Sequence, residues 1–165
     1  MSEFASPDIH HLHAAQGWLE LGSHLEATEE LEKITPALRA HPDVLELHWQ
    51  IYAKEKKWEA CVDIATAQVA AAPRQPEGWI HRSYALHELR RTKEAAELLE
   101  AAADLWQGHW LIHYNMACYS CQLGKQVEAW QWLEDAIELG DAKHVKLMAL
   151  DDPDLEPFWA EIGEI

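Results

Sequence analysis

The sequence predicts an all-α chain, an α-solenoid of antiparallel helix pairs, and three observations carry that expectation. Ala27, Cys61, Ala95 and Ala129 recur every 34 residues with no insertion between them, and a fixed period of this length marks stacked copies of a helix–turn–helix unit. Three further columns keep the same register: Leu31, Ala65, Leu99 and Leu133; Glu26, Ala60, Glu94 and Glu128; and Ile34, Gln68, Ala102 and Ala136. Apolar residues recur at i, i+3, i+4 and i+7 instead of alternating, which is the helical period. The small column marks where two helices approach closely, and the larger apolar column fills the space beside it.

Breakers and polar clusters set the elements. Gly22-Ser23, Lys56-Lys57, Arg90-Arg91 and Gly124-Lys125 divide each repeat into two helices. His41-Pro42, Pro73 to Pro76, Gln107-Gly108 and Gly140-Asp141 separate the repeats. Helices are expected at roughly 8–21, 24–40, 43–55, 58–72, 77–89, 92–106, 110–122 and 126–139, with another at about 142–149. Pro36 lies inside the second, where it removes a backbone donor and clashes with the preceding turn, so a kink or an early stop is expected. The chain thus reads as a single domain, 1–165, with repeats at about 8–41, 42–75, 76–109 and 110–143. Residues 144–165 form a capping segment, since a terminal repeat has no neighbour to cover its apolar face. A last short helix starts from Pro153 with Asp152 as its N-cap. The carboxylates there lack the Asp-x-Asp-x-Asp-Gly spacing of a calcium loop, so capping accounts for them.

Bulk properties narrow the function. The chain has 165 residues, enough for a working core, and its 48% apolar content is that of a folded globule. Twenty-nine acidic against 13 basic residues give a net charge of −16. That charge repels phosphate backbones and anionic headgroups, so neither nucleic acid nor membrane is an expected partner. No apolar run reaches membrane-span length, and the start, Met1 to Asp8, lacks a basic region followed by an apolar one. Three cysteines show no disulfide framework, and a reducing cytoplasm is the expected location. There is no nucleophile elbow, phosphate-cradling glycine loop or paired catalytic carboxylate, so no enzymatic activity and no cofactor are expected.

These residues bring the chain to a family. Tyr114-Asn115-Met116-Ala117-Cys118, Leu123-Gly124, Glu128-Ala129 and Ala136 in the fourth repeat, Trp79, Ala95, Leu99 and Ala102 in the third, and Pro73 closing the second resemble the tetratricopeptide repeat family over about residues 8–143. The second repeat departs from it with His48-Trp49 where the family prefers Leu-Gly, and the first has His11 in place of an aromatic. The resemblance implies a right-handed superhelix whose first helices line a concave groove that binds peptides or partner helices.

Within each first helix one stripe faces the second helix, and the remaining i, i+3, i+7, i+10 stripe faces the groove. That stripe is Ile9, Leu12, Gln16 and Leu19; then Asp43, Glu46, Gln50 and Ala53; then Glu77, Ile80, Tyr84 and His87; then Leu111, Tyr114, Cys118 and Cys121. A solvated stripe would be richer in Lys, Glu and Ser. This one is apolar and aromatic with acidic spots at Asp43, Glu46 and Glu77, the composition of a contact site. The alternative is that the array buries this face against itself or against the N-terminal segment. The family's chaperone-tail binders hold a C-terminal carboxylate with groove cations, and Leu12, Gln16, Leu47, Ile80 and Tyr84 supply none here.

Other residues with chemical potential have plainer readings beside the functional ones. Cys118-Tyr119-Ser120-Cys121 has C-x-x-C spacing, and His87 occupies the neighbouring groove column, yet no second C-x-x-C completes a zinc site, so packing is the favoured account. Eleven His residues make binding sensitive to pH an option. Most of the nine Trp residues fall at helix-packing columns, with Trp106 and Trp159 as candidates for surface contacts. Lys54, Lys56, Lys57, Arg90, Arg91 and Lys93 sit in the intra-repeat turns, either as solvated turns or as a basic ridge for an acidic partner.

The leading expectation is a protein–protein interaction module that binds a neutral or basic peptide or helix in an apolar, acid-rimmed groove. One alternative is a small acidic chaperone for a secreted or assembling client. The other is a thiol- or zinc-dependent protein built on the C-x-x-C. Monomer and dimer both stay open.

Overall fold

In a computed structural model, residues 4–164 are described, and all regular structure among them is helical. The stretch that lacks a secretory pattern begins at Met1, so part of it lies outside the described residues. The helices are α1 (Asp8–Glu20), α2 (His24–Glu32), α3 (Pro42–Lys54), α4 (Trp58–Ala71), α5 (Glu77–Glu88), α6 (Thr92–Leu105), α7 (Trp110–Gln122), α8 (Gln126–Leu139), α9 (Ala142–Asp151) and α10 (Trp159–Glu164). Two 3-10 turns, Pro36–Leu38 and Pro153–Phe158, complete the order. The chain divides into two compact units, Met1–His81 and Arg82–Ile165, with α5 shared between them.

The four intra-repeat turns are one structure repeated. Gly22, Lys56, Arg90 and Gly124 all have positive φ, at 78°, 55°, 64° and 76°, and they stand 34 residues apart. In each, the next residue's N–H reaches back to the carbonyl five residues earlier: Ser23 to Trp18, Lys57 to Tyr52, Arg91 to Leu86 and Lys125 to Ser120, all at 2.9 Å. This is the Schellman closure, which satisfies the last carbonyls of a helix and turns the chain back on itself. Glycine adopts the left-handed conformation freely, whereas Lys56 and Arg90 carry a side-chain penalty of about 1–2 kcal/mol. Offset by glycine's greater unfolded entropy, Lys56→Gly and Arg90→Gly are each expected to raise stability by about 0.5–1 kcal/mol in denaturant titrations. A loss instead would mean that side-chain contacts outweigh the backbone strain.

In the N-terminal unit α2 stops at Glu32, well short of the span expected from its pattern. The cause is Pro36, which opens a separate 3-10 turn at its own first position. Arg39 takes up the exposed carbonyls: its Nη2 donates to Glu32 O at 2.6 Å and its Nε to Ile34 O at 3.1 Å. Asp8, the first residue of α1, accepts from Thr35 N at 2.7 Å and from Thr35 Oγ1 at 3.0 Å, pinning the end of the repeat to its start. Leu12, Ala15, Ala27, Leu31, Ile34, Val44, Leu47 and Ile51 form the core of α1, α2 and α3. The small-residue column Ala27, Cys61, Ala95 and Ala129 is 0% exposed throughout, as is Leu31, Ala65, Leu99 and Leu133.

The C-terminal unit is built around α7, which is enclosed on every side: each residue from Ile112 to Cys121 is buried. Helices α6 and α8 flank it, and the turn Pro153–Phe158 covers a further face. Asp141 caps α9 by accepting from His144 N at 2.7 Å. Asp152 caps the next turn, accepting from Asp154 N at 3.0 Å with Pro153 at the first position. The element that Asp152 caps is a 3-10 turn, and α10 follows it.

Candidate functional site

The expected groove residues fall into two sets, one in each unit. In the N-terminal unit a cavity of about 1140 Å³ opens between the start of α1, the turn Pro36–Leu38 and the end of α4. Phe4, Ile9, Leu38, Pro42, Ala72 and Pro73 give it an apolar lining, and Asp43 stands at its edge. A smaller adjoining cavity of about 160 Å³ shares Pro42, Asp43, Ala72 and Gln75 and brings in Glu46 and Glu77. The structure thus gathers Ile9, Asp43, Glu46 and Glu77 from the stripe. It does not bring the others there. Leu12 and Ile80, expected to face outward, are buried because the helices α1 and α5 each turn those positions inward. Gln16 is exposed and donates to Glu20 Oε1 at 3.3 Å. Leu19 is half-buried against the core, and Gln50 and Ala53 are half-buried on α3.

Glu46 is tied into a polar network. Gln50 Nε2 donates to its Oε1 at 2.8 Å, and Gln68 Nε2 to its Oε2 at 2.9 Å. Gln68 Oε1 pairs with His81 Nδ1 at 3.1 Å, and the His81 ring stacks on Trp49 with centroids 3.8 Å apart. Burial pushes the His81 imidazole below its ordinary range against the opposing pull of Glu46 and Glu77. His48 is lowered by burial too.

Sequence reasoning missed Phe4, Leu38 and the loop Ala71–Gln75 as lining. A signal existed for Leu38: Pro36 ends α2 early and puts Leu38 in the separate 3-10 turn that lines the cavity.

In the C-terminal unit the stripe is covered by the chain's own end. Tyr114 Oη donates to Asp152 Oδ2 at 2.9 Å, and Cys118 Sγ lies 3.5 Å from the same oxygen. His87 Nε2 pairs with Asp154 Oδ2 at 2.7 Å, and Gln122 Nε2 donates to Asp154 O at 3.1 Å. His87, Tyr114, Cys118 and Cys121, expected to face a groove, are consequently buried, and Leu111 is half-buried. Tyr84 alone of this set remains on the surface, 38% exposed. It borders a cavity of about 570 Å³ whose wall also holds His87, Arg90, Tyr114, Met148 and the carboxylates of Asp152 and Asp154.

Electrostatics here run one way. Burial, aided by Glu88 and Asp152, pushes the Tyr84 hydroxyl up to about 12. The Cys118 thiol is raised well above its ordinary value by burial and then by Asp152 and Asp154, and Cys121 is raised for the same reasons. Cys61 is pushed up to about 11 by burial. A redox pair needs a stabilised thiolate, and these surroundings favour the protonated thiol.

Three of the six intra-repeat cations are locally matched. Lys57 pairs with Glu55 at 2.8 Å in one unit; in the other, Arg91 pairs with Glu94 at 2.7 Å and Lys93 with Glu97 at 3.8 Å. No helix among the described residues is long and apolar enough to cross a membrane.

No family model and no curated protein matches the sequence. Solved structures do match. The chain is similar to TTC0263, a thermophilic TPR protein in Thermus thermophilus, at 19% identity and TM-score 0.72, over 94% of this chain and 83% of that one. YrrB, a TPR protein with an unusual peptide-binding site, matches at 19% identity and TM-score 0.70, over 89% of this chain and 76% of that one. The MamA of MSR-1 matches at 22% identity and TM-score 0.67, over 81% of this chain and 76% of that one. Identities this low speak to architecture, and the architecture they share with this chain is the tetratricopeptide-type helical repeat.

Proposed function

We propose that this protein is an interaction module that binds a neutral or basic peptide segment in the cavity of its N-terminal unit. The observation that carries this reading is the cavity itself. At about 1140 Å³ it exceeds the size of an ordinary small-molecule pocket and suits several residues of polypeptide. Its floor of Phe4, Ile9, Leu38 and Pro42 offers apolar burial. Asp43 lines it together with one cation, Arg74, and Glu46 and Glu77 line the adjoining smaller cavity, so three carboxylates against one guanidinium favour Lys or Arg flanking an apolar anchor. YrrB shares the fold and has a peptide-binding site, which supports the reading. The C-terminal stripe is a weaker candidate, because the chain's own turn already lies on it.

Selection of displayed random peptides against the full-length chain tests this. Enriched sequences are expected to pair an apolar anchor with flanking basic residues. An Ile9→Glu, Leu38→Glu double variant, shown folded by circular dichroism, should bind them at least about tenfold more weakly, as burying a charge in an apolar contact demands. Tyr84→Glu in the other unit should leave affinity unchanged. Peptides that bind the double variant as well as wild type would rule the cavity out.

A further inference from the structure

Beneath the C-terminal turn the fold gathers side chains of the kinds that hold a transition metal. His87 comes from α5, Cys118 from α7, and Asp152 and Asp154 from the start of the turn Pro153–Phe158. Cys118 Sγ and one carboxylate oxygen each from Asp152 and Asp154 all lie within 4.8 Å of one another, and His87 Nε2 stands 2.7 Å from Asp154 Oδ2. We propose that this cluster binds one thiophilic divalent cation of the zinc type, with His87 Nε2, Cys118 Sγ and an oxygen from each of Asp152 and Asp154 as its four ligands. The site is independent of the peptide cavity in the other unit.

Donor chemistry selects the ion class. Calcium and magnesium take oxygen ligands, whereas one imidazole, one cysteine sulfur and two carboxylates suit zinc, the Cys118 thiol releasing its proton to solvent as the ion binds. The spacing is compatible. Metal–ligand bonds of about 2.0–2.3 Å set neighbouring ligand atoms about 3.3–3.8 Å apart in a tetrahedron. Separations of up to 4.8 Å among Cys118, Asp152 and Asp154 are short enough for side-chain rotation to close, and His87, 2.7 Å from Asp154 Oδ2, joins them through that contact.

The supporting contacts are those that metal ligands use to hold their orientation. Tyr114 Oη donates to Asp152 Oδ2 at 2.9 Å, and Asp154 N donates to Asp152 Oδ1 at 3.0 Å. His87 Nδ1 lies 2.9 Å from Thr92 Oγ1. The Asp154 carboxylate only accepts, so as the ring stands Nε2–H donates to it and a neutral ring accepts from the Thr92 hydroxyl. With a cation at Nε2 the ring proton sits on Nδ1 and the hydroxyl accepts instead. Hydroxyls serve both roles, so Thr92 fixes the ring in either case.

Charge and access point the same way. The adjoining cavity of about 570 Å³ is lined by Glu88 and Asp151 as well as Asp152 and Asp154, with Arg90 opposing them. A divalent cation offsets this excess of negative charge and reaches the cluster through that cavity. Cys121, one turn further along α7, and His87 both lie outside the 4.8 Å group, but His87 is joined to it by its 2.7 Å contact with Asp154 Oδ2.

The test uses the full-length chain, stripped with chelator and exchanged into chelator-free buffer, with Co²⁺ as the probe and Zn²⁺ as the competitor. One equivalent of Co²⁺ is expected to bind, with a sulfur-to-cobalt charge-transfer band that one equivalent of Zn²⁺ abolishes. Cys118→Ser should remove the band, while Cys121→Ser and Cys61→Ser keep it. Asp154→Asn should weaken Zn²⁺ at least about tenfold, and Thr92→Val, which touches no ion, by about tenfold. Circular dichroism establishes folding of each variant. Should Cys118→Ser not fold, the wild-type stoichiometry and Asp154→Asn decide alone. Absence of saturable binding near one equivalent in wild type, or a charge-transfer band that survives Cys118→Ser, overturns the site.

Discussion

Leu31→Ala is expected to lower the stability of the N-terminal unit by about 2–5 kcal/mol, the range for removing a fully enclosed leucine from a core that closes only partly around the gap. Leu31 is 0% exposed and lies in the cluster that joins α1, α2 and α3. Ala27, one turn earlier, makes a sharper test of the repeat itself. It too is 0% exposed, so the added carbons of Ala27→Leu have no room and should cost about 1–3 kcal/mol by forcing helices apart. Glu26 belongs to a column with the same 34-residue period but is exposed, and Glu26→Ala should stay within about 0.5 kcal/mol. Denaturant titration of the three variants separates the causes. If Ala27→Leu proved neutral, the small column would not be recording a close helix approach, and the period would need another explanation.

That contrast also shows which parts of the molecule are written locally in the sequence. Periodicity gave the helices because each repeat solves the same packing problem with the same column of small and large residues; α1 and α3 to α8 end within one residue of the expected positions. The turns were found for the same reason, although Lys56 and Arg90 hide the left-handed geometry that Gly22 and Gly124 announce. Where a single residue breaks the pattern, as Pro36 does, the direction of the effect was readable but its extent was not. The outward stripe was read less well. It rests on the assumption that a first helix has an open face, and in the C-terminal unit that face is closed by contacts such as Tyr114 to Asp152, 38 residues apart in sequence. Nothing with a period of 34 encodes such a pairing, and neither the cluster of His87, Cys118, Asp152 and Asp154 nor the loop lining the N-terminal cavity follows from local pattern.

How firmly that C-terminal turn is held decides whether the covered stripe can ever open. Leu155→Ala should cost about 2–5 kcal/mol, since Leu155 is 0% exposed and anchors the turn. Phe158 packs edge-on to Trp130 at 5.4 Å, and Trp159 Nε1 donates to Ala149 O at 2.9 Å. Asp154→Asn, measured with chelator present, keeps an acceptor for His87 while losing the carboxylate charge, and should cost only about 1 kcal/mol. The predicted order therefore puts apolar burial above the polar pairs as what holds the turn. Hydrogen exchange gives the local readout: Leu155→Ala should accelerate amides of α7 together with those of α9 and α10, because the turn packs on α7 and α9 and α10 packs on both the turn and α9. Fluorescence of Trp130 and Trp159 should report the same loosening. Equal losses in the two variants would instead mean that the carboxylate contacts hold the turn, and a partner that competes for His87 and Tyr114 could then displace it. With the predicted order, displacement also exposes Leu155, Phe158 and Ile162, all buried, so a competing ligand must first overcome their apolar burial. A peptide bound in the N-terminal cavity would require no such displacement.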